Sequence, residues 1–158
     1  MKNYLTLILS SLLILSANVL HADENSMQAT EGFDHIGLTV SQLEQSTAFF
    51  VNGLGWRLLG RNSDYPAAFV SDGHMMIALW QAKTDKPVAF DRKNNVGLHH
   101  LAIRVSSFEQ LDNLYQRIKT MPGVVIEFAP EPAYGGPAKH MMVREPSGNR
   151  LEFKHSPN

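Results

Sequence analysis

Residues 35–45 of this chain, His-Ile-Gly-Leu-Thr-Val-Ser-Gln-Leu-Glu-Gln, align without a gap with residues 100–110, His-Leu-Ala-Ile-Arg-Val-Ser-Ser-Phe-Glu-Gln. Five of the eleven positions are identical, and most of the others exchange one apolar residue for another. A segment that recurs at a fixed offset, here 65 residues, is typical of a duplicated structural unit. The chain therefore contains an internal repeat whose two copies begin in the same way.

Each copy begins with a strand followed by a helix. The alternation of apolar and polar residues predicts the strand. Ser41 to Glu44 and Ser106 to Glu109 both follow the pattern Ser-x-x-Glu, which predicts a capping box that satisfies the free backbone donors of a starting helix. Apolar residues at helical spacing follow in both copies.

Three further strands are predicted after each helix. We expect the helices to end near residues 52–53 and 121–123. The predicted strands are the apolar stretches that turn residues bound, namely 56–60, 67–70, 75–80, 124–128, 139–143 and 150–153. The sequence thus predicts an α+β fold, in which two βαβββ half-domains, 33–81 and 98–153, form a pseudo-twofold cleft. Residues 130–137, which include two adjacent glycines, are expected to be a mobile lid.

Composition excludes several classes of protein. The 158 residues fit one domain, with 14 Lys+Arg against 15 Asp+Glu, and this near-neutral balance disfavours binding to nucleic acid. The chain has no cysteine, which excludes disulfides, thiolate metal ligands and thiol nucleophiles. Its chemistry must therefore come from His, carboxylate and hydroxyl groups and any bound metal.

The first 22 residues are typical of a secretory signal peptide. Lys2 is followed by an apolar run over residues 4–20, and Ala22 offers a small residue at the cleavage point. The alternative is an uncleaved membrane anchor, for which this run is short. We expect a single domain over residues 23–158 that is periplasmic or secreted and has no membrane contact after cleavage.

Two histidines and one glutamate form a candidate metal site. His35 and His100 occupy equivalent places in the two copies, and both are expected to point into the shared cleft. Glu152 stands in the last strand between apolar neighbours, so it shares a face with Arg150 and Lys154. Two imidazoles and one carboxylate bind a divalent metal and leave coordination positions open, which is typical of a catalytic rather than a structural metal.

Other side chains are candidates for contact with a substrate. We expect His140 and Tyr134 to be catalytic, with His140 as an acid or base beside the metal. The alternatives are a surface histidine on a hairpin and a tyrosine that merely covers a loop. The residues expected to bind substrate are Arg104, Tyr65 and Trp80.

The motifs at residues 33–40, 98–105 and 145–153 resemble those of the vicinal oxygen chelate superfamily, which includes glyoxalase I, extradiol dioxygenases, fosfomycin-modifying transferases and bleomycin-resistance proteins. The resemblance places His35, His100 and Glu152 on the metal-ligand positions of the family. The spacing to Ala102 favours His100 over His99 as the ligand. Members that resemble glyoxalase I carry a further Glu ligand where this chain has Ala78, which disfavours glutathione-dependent isomerisation.

The resemblance implies a metal-dependent enzyme that acts on a small molecule. Fe, Mn, Ni or Zn would bind two neighbouring oxygens of the substrate, and the reaction would be ring-opening oxygenation or a lyase or isomerase step. It also implies a possible homodimer. One alternative is a metal-free protein that sequesters a small molecule, as bleomycin-resistance members do, and another is a binding component that acts with a partner protein.

Overall fold

The computed structural model describes residues 29–157 of the chain. The chain divides into two units, Met1–Gly32 and Phe33–Asn158, and every helix and strand among the described residues belongs to the second unit. The signal peptide predicted for residues 1–22 lies outside the described residues. Within residues 29–157, no helix is both long and apolar enough to cross a membrane.

The first half of the second unit is a mixed four-stranded sheet with one helix. Its elements are β1 (His35–Val40), α1 (Leu43–Ala48), a π-helical turn (Phe49–Gly53), β2 (Arg57–Asn62), β3 (Ala67–Ser71) and β4 (Met76–Gln81). The strand order is β1-β4-β3-β2, with β1 parallel to β4 and the other pairs antiparallel.

The second half repeats this topology. Its elements are β5 (Leu101–Arg104), α2 (Phe108–Ile118), β6 (Val125–Pro132), β7 (Lys139–Arg144) and β8 (Arg150–His155). The strand order is β5-β8-β7-β6, and β5 is parallel to β8. The two βαβββ units predicted from the repeat are therefore confirmed.

Both predicted capping boxes were placed wrongly. The N-cap of α1 is Gln42, which makes no cap through its side chain, and Glu44 instead pairs with Arg61 on β2. The N-cap of α2 is Ser107, whose hydroxyl accepts a hydrogen bond from the backbone N–H of Gln110. Two adjacent serines precede α2, and the helix starts one residue later than the repeat suggested.

The predicted lid is shorter than expected. Strand β6 continues to Pro132, so residues 130–132 belong to the sheet and only residues 133–138 form the loop before β7. Backbone hydrogen bonds from Ala133 to Ala138 and from Gly136 to Ala133 close this loop. A β-bulge in β6 between Phe128 and Glu131 accommodates the extra length of the strand.

Each sheet has one face in the core and one face turned away from it. The core is a single cluster of aliphatic and aromatic side chains from both halves, including Phe49 and Phe50 beside α1, Leu111 and Ile118 of α2, and Phe153 of β8. Since side chains alternate along a strand, the residues between these core positions lie on the opposite face. We call that face of each sheet its outer face.

The turn over residues 145–149 joins the second half to the first. Glu145 is fully buried and accepts hydrogen bonds from the Ser46 hydroxyl and from the backbone N–H and side-chain amide of Asn149. The Asn149 amide also donates to the Thr39 carbonyl oxygen on β1. Because Glu152 follows this turn on β8, the turn fixes β8 relative to β1.

Candidate functional site

The outer face of the second sheet carries most of the candidate residues. Ala102 on β5, Glu152 on β8 and Met142 on β7 are neighbours in register. One row further along, Arg104, Lys154 and His140 are neighbours in the same way. The residues predicted to share a face with Glu152, namely Arg150 and Lys154, therefore do so.

Glu152 is the centre of this face. Its side chain is buried, and each carboxylate oxygen faces one imidazole. Oε1 lies 2.5 Å from Nδ1 of His140 on β7, and Oε2 lies 3.2 Å from Nε2 of His100, which immediately precedes β5. Because His140 is also buried, this pair is shielded from water, whereas the side chain of His100 is 29% exposed. Three neighbouring strands thus converge on one carboxylate.

Polar contacts join Glu152 to its neighbours in a chain. A carboxylate oxygen can only accept, so Nδ1 of His140 donates to Oε1 of Glu152, whereas Nε2 of His100 lies at ion-pair distance from Oε2. Nδ1 of His100 lies 2.9 Å from Nδ1 of His99, so one of these two nitrogens donates and the other accepts. Desolvation by neighbouring atoms and the positive charge of Arg150 lower the pKa of His99. The hydrogen bond between the two Nδ1 atoms holds the His99 ring against the His100 ring.

His35 lies outside this group. Its Nδ1 is 2.6 Å from Oδ1 of Asp34, its side chain is 50% exposed, and no contact joins it to His100 or Glu152 in the described part of the chain. Residues 29–157 contain no group of three or more His, Asp or Glu side chains that could hold a metal ion as they stand. The structure brings together two of the three predicted ligands, and the three-ligand site stays a prediction.

The register explains why the two halves differ chemically. Gly37 on β1 pairs with Ala78 on β4 in the same way that Ala102 on β5 pairs with Glu152 on β8. Ala78 is thus the first-half counterpart of Glu152, in agreement with the interpretation that the first half lacks an acidic ligand. Within residues 29–157, this position of the sheet carries a carboxylate in the second half and a methyl group in the first.

A second carboxylate, Glu127 on β6, neutralises two arginines beside the site. Its oxygens each accept a hydrogen bond of 2.7 Å, one from Nε of Arg144 and one from Nε of Arg150. Burial raises the pKa of Glu127, but the hydrogen bonds from Arg150 and Arg144 outweigh burial and leave the pKa below its ordinary value. We call these three residues the Glu127 clamp. The sequence did not reveal it, because the β6 bulges obscure which residues of that strand share a face.

Tyr134 sits in the shortened loop and covers His140. Its φ is +52°, and no other residue besides glycine has a positive φ in the part of the chain described. The Tyr134 ring centroid lies 5.3 Å from that of His140, and the Lys154 ammonium lies 5.5 Å from the Tyr134 ring. The side chain is nevertheless 82% exposed. Tyr134 is thus an exposed ring, held in a left-handed backbone conformation, above a buried histidine.

Tyr65 and Trp80 lie on the outer face of the first sheet. The Trp80 ring packs 5.1 Å from the Tyr65 ring and 5.9 Å from the Phe69 ring, and the Lys83 ammonium lies 4.2 Å above Tyr65. No contact in the described part of the chain joins these residues to Glu152. The outer face of the first sheet is therefore aromatic, whereas that of the second is charged.

A cleft of about 420 Å³ lies between the two halves. The connection over residues 87–92 covers it, and Thr39 of β1, Leu151 of β8 and His99 contribute to its wall. His35, His100 and Glu152 are not part of that wall. In this structure His99 links the cleft to the Glu152 centre.

The chain belongs to the glyoxalase/bleomycin resistance protein/dioxygenase superfamily. The model of this family matches residues 32–153, a range that contains the three predicted metal ligands and every element described above except the last two residues of β8. The resemblance inferred from the three motifs is thereby confirmed.

Individual relatives include enzymes of different kinds. A catechol-2,3-dioxygenase of Bacillus subtilis is 30% identical over 89 residues, a segment that covers 54% of this chain and 30% of that protein. The chain thus matches less than a third of the length of this curated relative.

Solved structures share the fold. A glyoxylase/bleomycin resistance protein/dioxygenase domain from Frankia superimposes with a TM-score of 0.71 at 23% identity, covering 82% of this chain and 95% of that chain. A lactoylglutathione lyase from Agrobacterium tumefaciens gives 0.60 at 17% identity, covering 82% and 96%. A fosfomycin resistance protein from Listeria monocytogenes gives 0.63 at 20% identity, covering 81% and 95%. At these identities the likeness concerns the fold.

Proposed function

We propose that this protein is a divalent-metal-dependent enzyme that acts on a small molecule with two neighbouring oxygen atoms. In this proposal the metal ligands include His100 and Glu152, and the reaction is ring-opening oxygenation or a lyase or isomerase step. The 30% identity to a catechol-2,3-dioxygenase supports the oxygenase class. We further propose that the mature protein is exported, as residues 1–22 indicate.

The observation that carries the proposal is the spacing of one donor atom on His100 and one on the buried Glu152. Nε2 of His100 and Oε2 of Glu152 are 3.2 Å apart. Two ligands that each lie about 2.1 Å from one ion, at angles between 90° and the tetrahedral value, are separated by about 3.0 to 3.4 Å. Imidazole nitrogen and carboxylate oxygen also suit Fe, Mn, Ni or Zn. The donor set therefore fits a divalent transition metal.

His140 supports the same centre from the other side. Its hydrogen bond to Oε1 fixes the orientation of the Glu152 carboxylate and leaves Oε2 toward His100. Because Nδ1 is committed to Glu152, Nε2 is the atom at which His140 would accept or release a substrate proton. When bound, the metal would polarise the substrate oxygens as a Lewis acid.

The third ligand is proposed to be His35. Since His35 makes no contact with His100 or Glu152 within the described residues of one chain, this ligand requires either a rearrangement or a second copy of the chain. A homodimer is consistent with the second possibility and is part of the proposal.

Metal analysis tests the proposal. Wild-type protein purified without a histidine tag should contain close to one divalent ion per chain, and Glu152→Ala should lose most of it. Glu131→Ala is the matched control, because Glu131 is an exposed residue of the same sheet without an ion pair in the described part of the chain. Equal metal content in the two variants contradicts the proposal.

The identity of the metal and two assays then separate the reactions. Oxygen consumption with catechols, together with bound Fe, supports ring-opening oxygenation. Loss of hemithioacetal absorbance, together with Ni or Zn, supports isomerisation.

A metal-free binding protein is the second candidate. The observation that favours it is the aromatic outer face of the first sheet, where Tyr65, Phe69 and Trp80 offer stacking surface for a planar ligand. Wild-type protein without stoichiometric metal that still binds a flat aromatic probe, in a manner lost in Trp80→Ala, would favour the binder.

A further inference from the structure

The outer face of the second sheet contains two cross-strand pairs of cations, one on each side of Glu152. Arg144 and Arg150 are directly opposite each other on β7 and β8, and Arg104 and Lys154 are directly opposite each other on β5 and β8. Like charges that face each other across neighbouring strands destabilise a sheet. A negative charge near each pair would offset this destabilisation.

The protein neutralises only one of the two pairs. Glu127 accepts hydrogen bonds from both Arg144 and Arg150. Arg104 is exposed and has no hydrogen bond or ion pair in the described part of the chain, and the Lys154 ammonium lies over the Tyr134 ring. The same sheet thus places a carboxylate between Arg144 and Arg150 but places none between Arg104 and Lys154.

Neighbouring carboxylates do not compensate the second pair. Both oxygens of Glu152 are committed to His100 and His140. Glu131 lies in the same row of the sheet, but His140 stands between it and Lys154, and no ion pair joins Glu131 to Lys154. Arg104 and Lys154 thus form an uncompensated positive site on an open face.

We propose that Arg104 and Lys154 form a subsite for an oxyanion group of the substrate, namely a carboxylate, phosphonate or phosphate. The planar guanidinium of Arg104 can donate two parallel hydrogen bonds to such a group, and Lys154 adds a second positive charge. Alternate residues of a strand are about 7 Å apart, so the oxyanion would lie about that far from Glu152. The substrate is therefore a small acid whose charged group is separated from its reacting oxygens by roughly the width of one ring.

Tyr134 fits this arrangement. Its ring lies beside both Lys154 and His140, so it covers the subsite and the Glu152 centre together. The part of this inference that concerns the substrate rests on the proposed function, whereas anion binding by Arg104 and Lys154 does not.

Titration with a matched acid and amide tests the subsite. Phenylacetate and phenylacetamide differ in charge but hardly in size, and the variants below separate binding at Arg104 and Lys154 from coordination of the phenylacetate carboxylate to a metal ion. Backbone amide shifts in ¹H–¹⁵N NMR spectra of the ¹⁵N-labelled protein should saturate with phenylacetate around residues 102–104 and 152–154, and should change little with phenylacetamide.

The variants separate this subsite from general attraction to a charged surface. Arg104→Gln and Lys154→Met should each weaken phenylacetate binding about tenfold, which is the effect of losing one charge-assisted interaction. Arg57→Gln should leave binding unchanged, because Arg57 is likewise an exposed strand arginine but lies on β2. Equal binding of the acid and the amide, unchanged binding in both subsite variants, or no saturable shifts at about 50 mM phenylacetate would each overturn the proposal.

Measuring the metal content distinguishes a failure of the subsite proposal from a failure of the proposed metal-dependent function. If phenylacetate binds through Arg104 and Lys154 while Glu152→Ala retains its metal, the subsite is supported and the assigned metal centre is wrong. If Glu152→Ala loses its metal while phenylacetate binding is unchanged in both subsite variants, the metal centre is supported and the subsite is wrong.

Discussion

Two buried glutamates show how the surroundings of a residue determine its role. Glu145 receives hydrogen bonds from a hydroxyl and amide groups, none of which titrates near neutral pH. Glu152 faces two imidazoles, which can exchange protons or bind metal. The contacts of Glu145 are therefore those of a structural residue, whereas the contacts of Glu152 are those on which the proposed function rests.

The sequence predicted Glu152 but not Glu145. Alternation along one strand was sufficient to place Glu152 beside Arg150 and Lys154. By contrast, Ser46 is separated from Glu145 by 99 residues, and no local pattern indicates that such a pair meets. Contacts between the two halves are decided by packing, which periodicity does not describe.

Removal of the Ser46 hydroxyl should destabilise the fold. Ser46→Ala leaves a buried carboxylate with one donor fewer, which should lower the free energy of unfolding by about 1 to 3 kcal/mol. Urea denaturation followed by circular dichroism measures the change. Ser106→Ala is the control, since Ser106 is exposed and should change stability by no more than about 0.5 kcal/mol. Equal effects of the two substitutions would contradict the role assigned to Ser46.

The Glu127 clamp should make stability depend on pH in acid. Because the pKa of Glu127 is lower in the folded chain than its ordinary value of 4.5, the clamp stabilises fully above that pH and is lost as pH falls through the folded pKa. Glu127→Gln should cost about 1 to 2 kcal/mol at neutral pH and should flatten the loss of stability in acid. Urea denaturation at several pH values checks this, with Glu131→Gln as the control. A wild-type pH profile in Glu127→Gln would contradict it.

At the level of elements, the strands were predicted more accurately than the starts of the helices. Each strand was found within a few residues because alternation is strong where one face is buried. The capping boxes were misplaced because several residues near each start can cap a helix, and α1 uses no side chain at all. The extent of the lid was overestimated because prolines in β6 suggested a loop, whereas the bulged strand accommodates them.

The cap of α2 can be tested directly. Ser107→Ala removes the acceptor for the Gln110 N–H and should lower the free energy of unfolding by about 0.5 to 2 kcal/mol. Ser106→Ala, at the position first predicted to be the cap, should have a smaller effect. A larger effect of Ser106→Ala in thermal or urea unfolding would show that Ser106 is the N-cap.

At position 134 a glycine should make the protein more stable than an alanine does. At a φ of +52° a residue with a Cβ is strained by about 1 kcal/mol, and glycine is not. Tyr134→Gly should therefore be more stable than Tyr134→Ala by about that amount, because both lose the same exposed ring. Calorimetric melting of the two variants measures the difference. A less stable Tyr134→Gly would show that the strain is absent.

At the level of the whole molecule, one repeated scaffold supports two different surfaces. The outer face of the first sheet presents aromatic rings and Ala78, and that of the second presents Glu152 with its imidazoles and cations. The repeat allowed the topology of both halves to be predicted because duplicated segments fold alike. It did not indicate that His35 and His100 have different neighbours, since that depends on Glu152 and Ala78, which lie outside the aligned segment.

The most direct test of the account is the metal content of His100→Ala compared with His99→Ala. The two residues are adjacent, but only His100 contacts Glu152, whereas His99 contacts His100. We expect His100→Ala to lose the metal, and His99→Ala to keep most of it. Equal loss in both variants, or full metal content in His100→Ala, would contradict a centre built on His100 and Glu152.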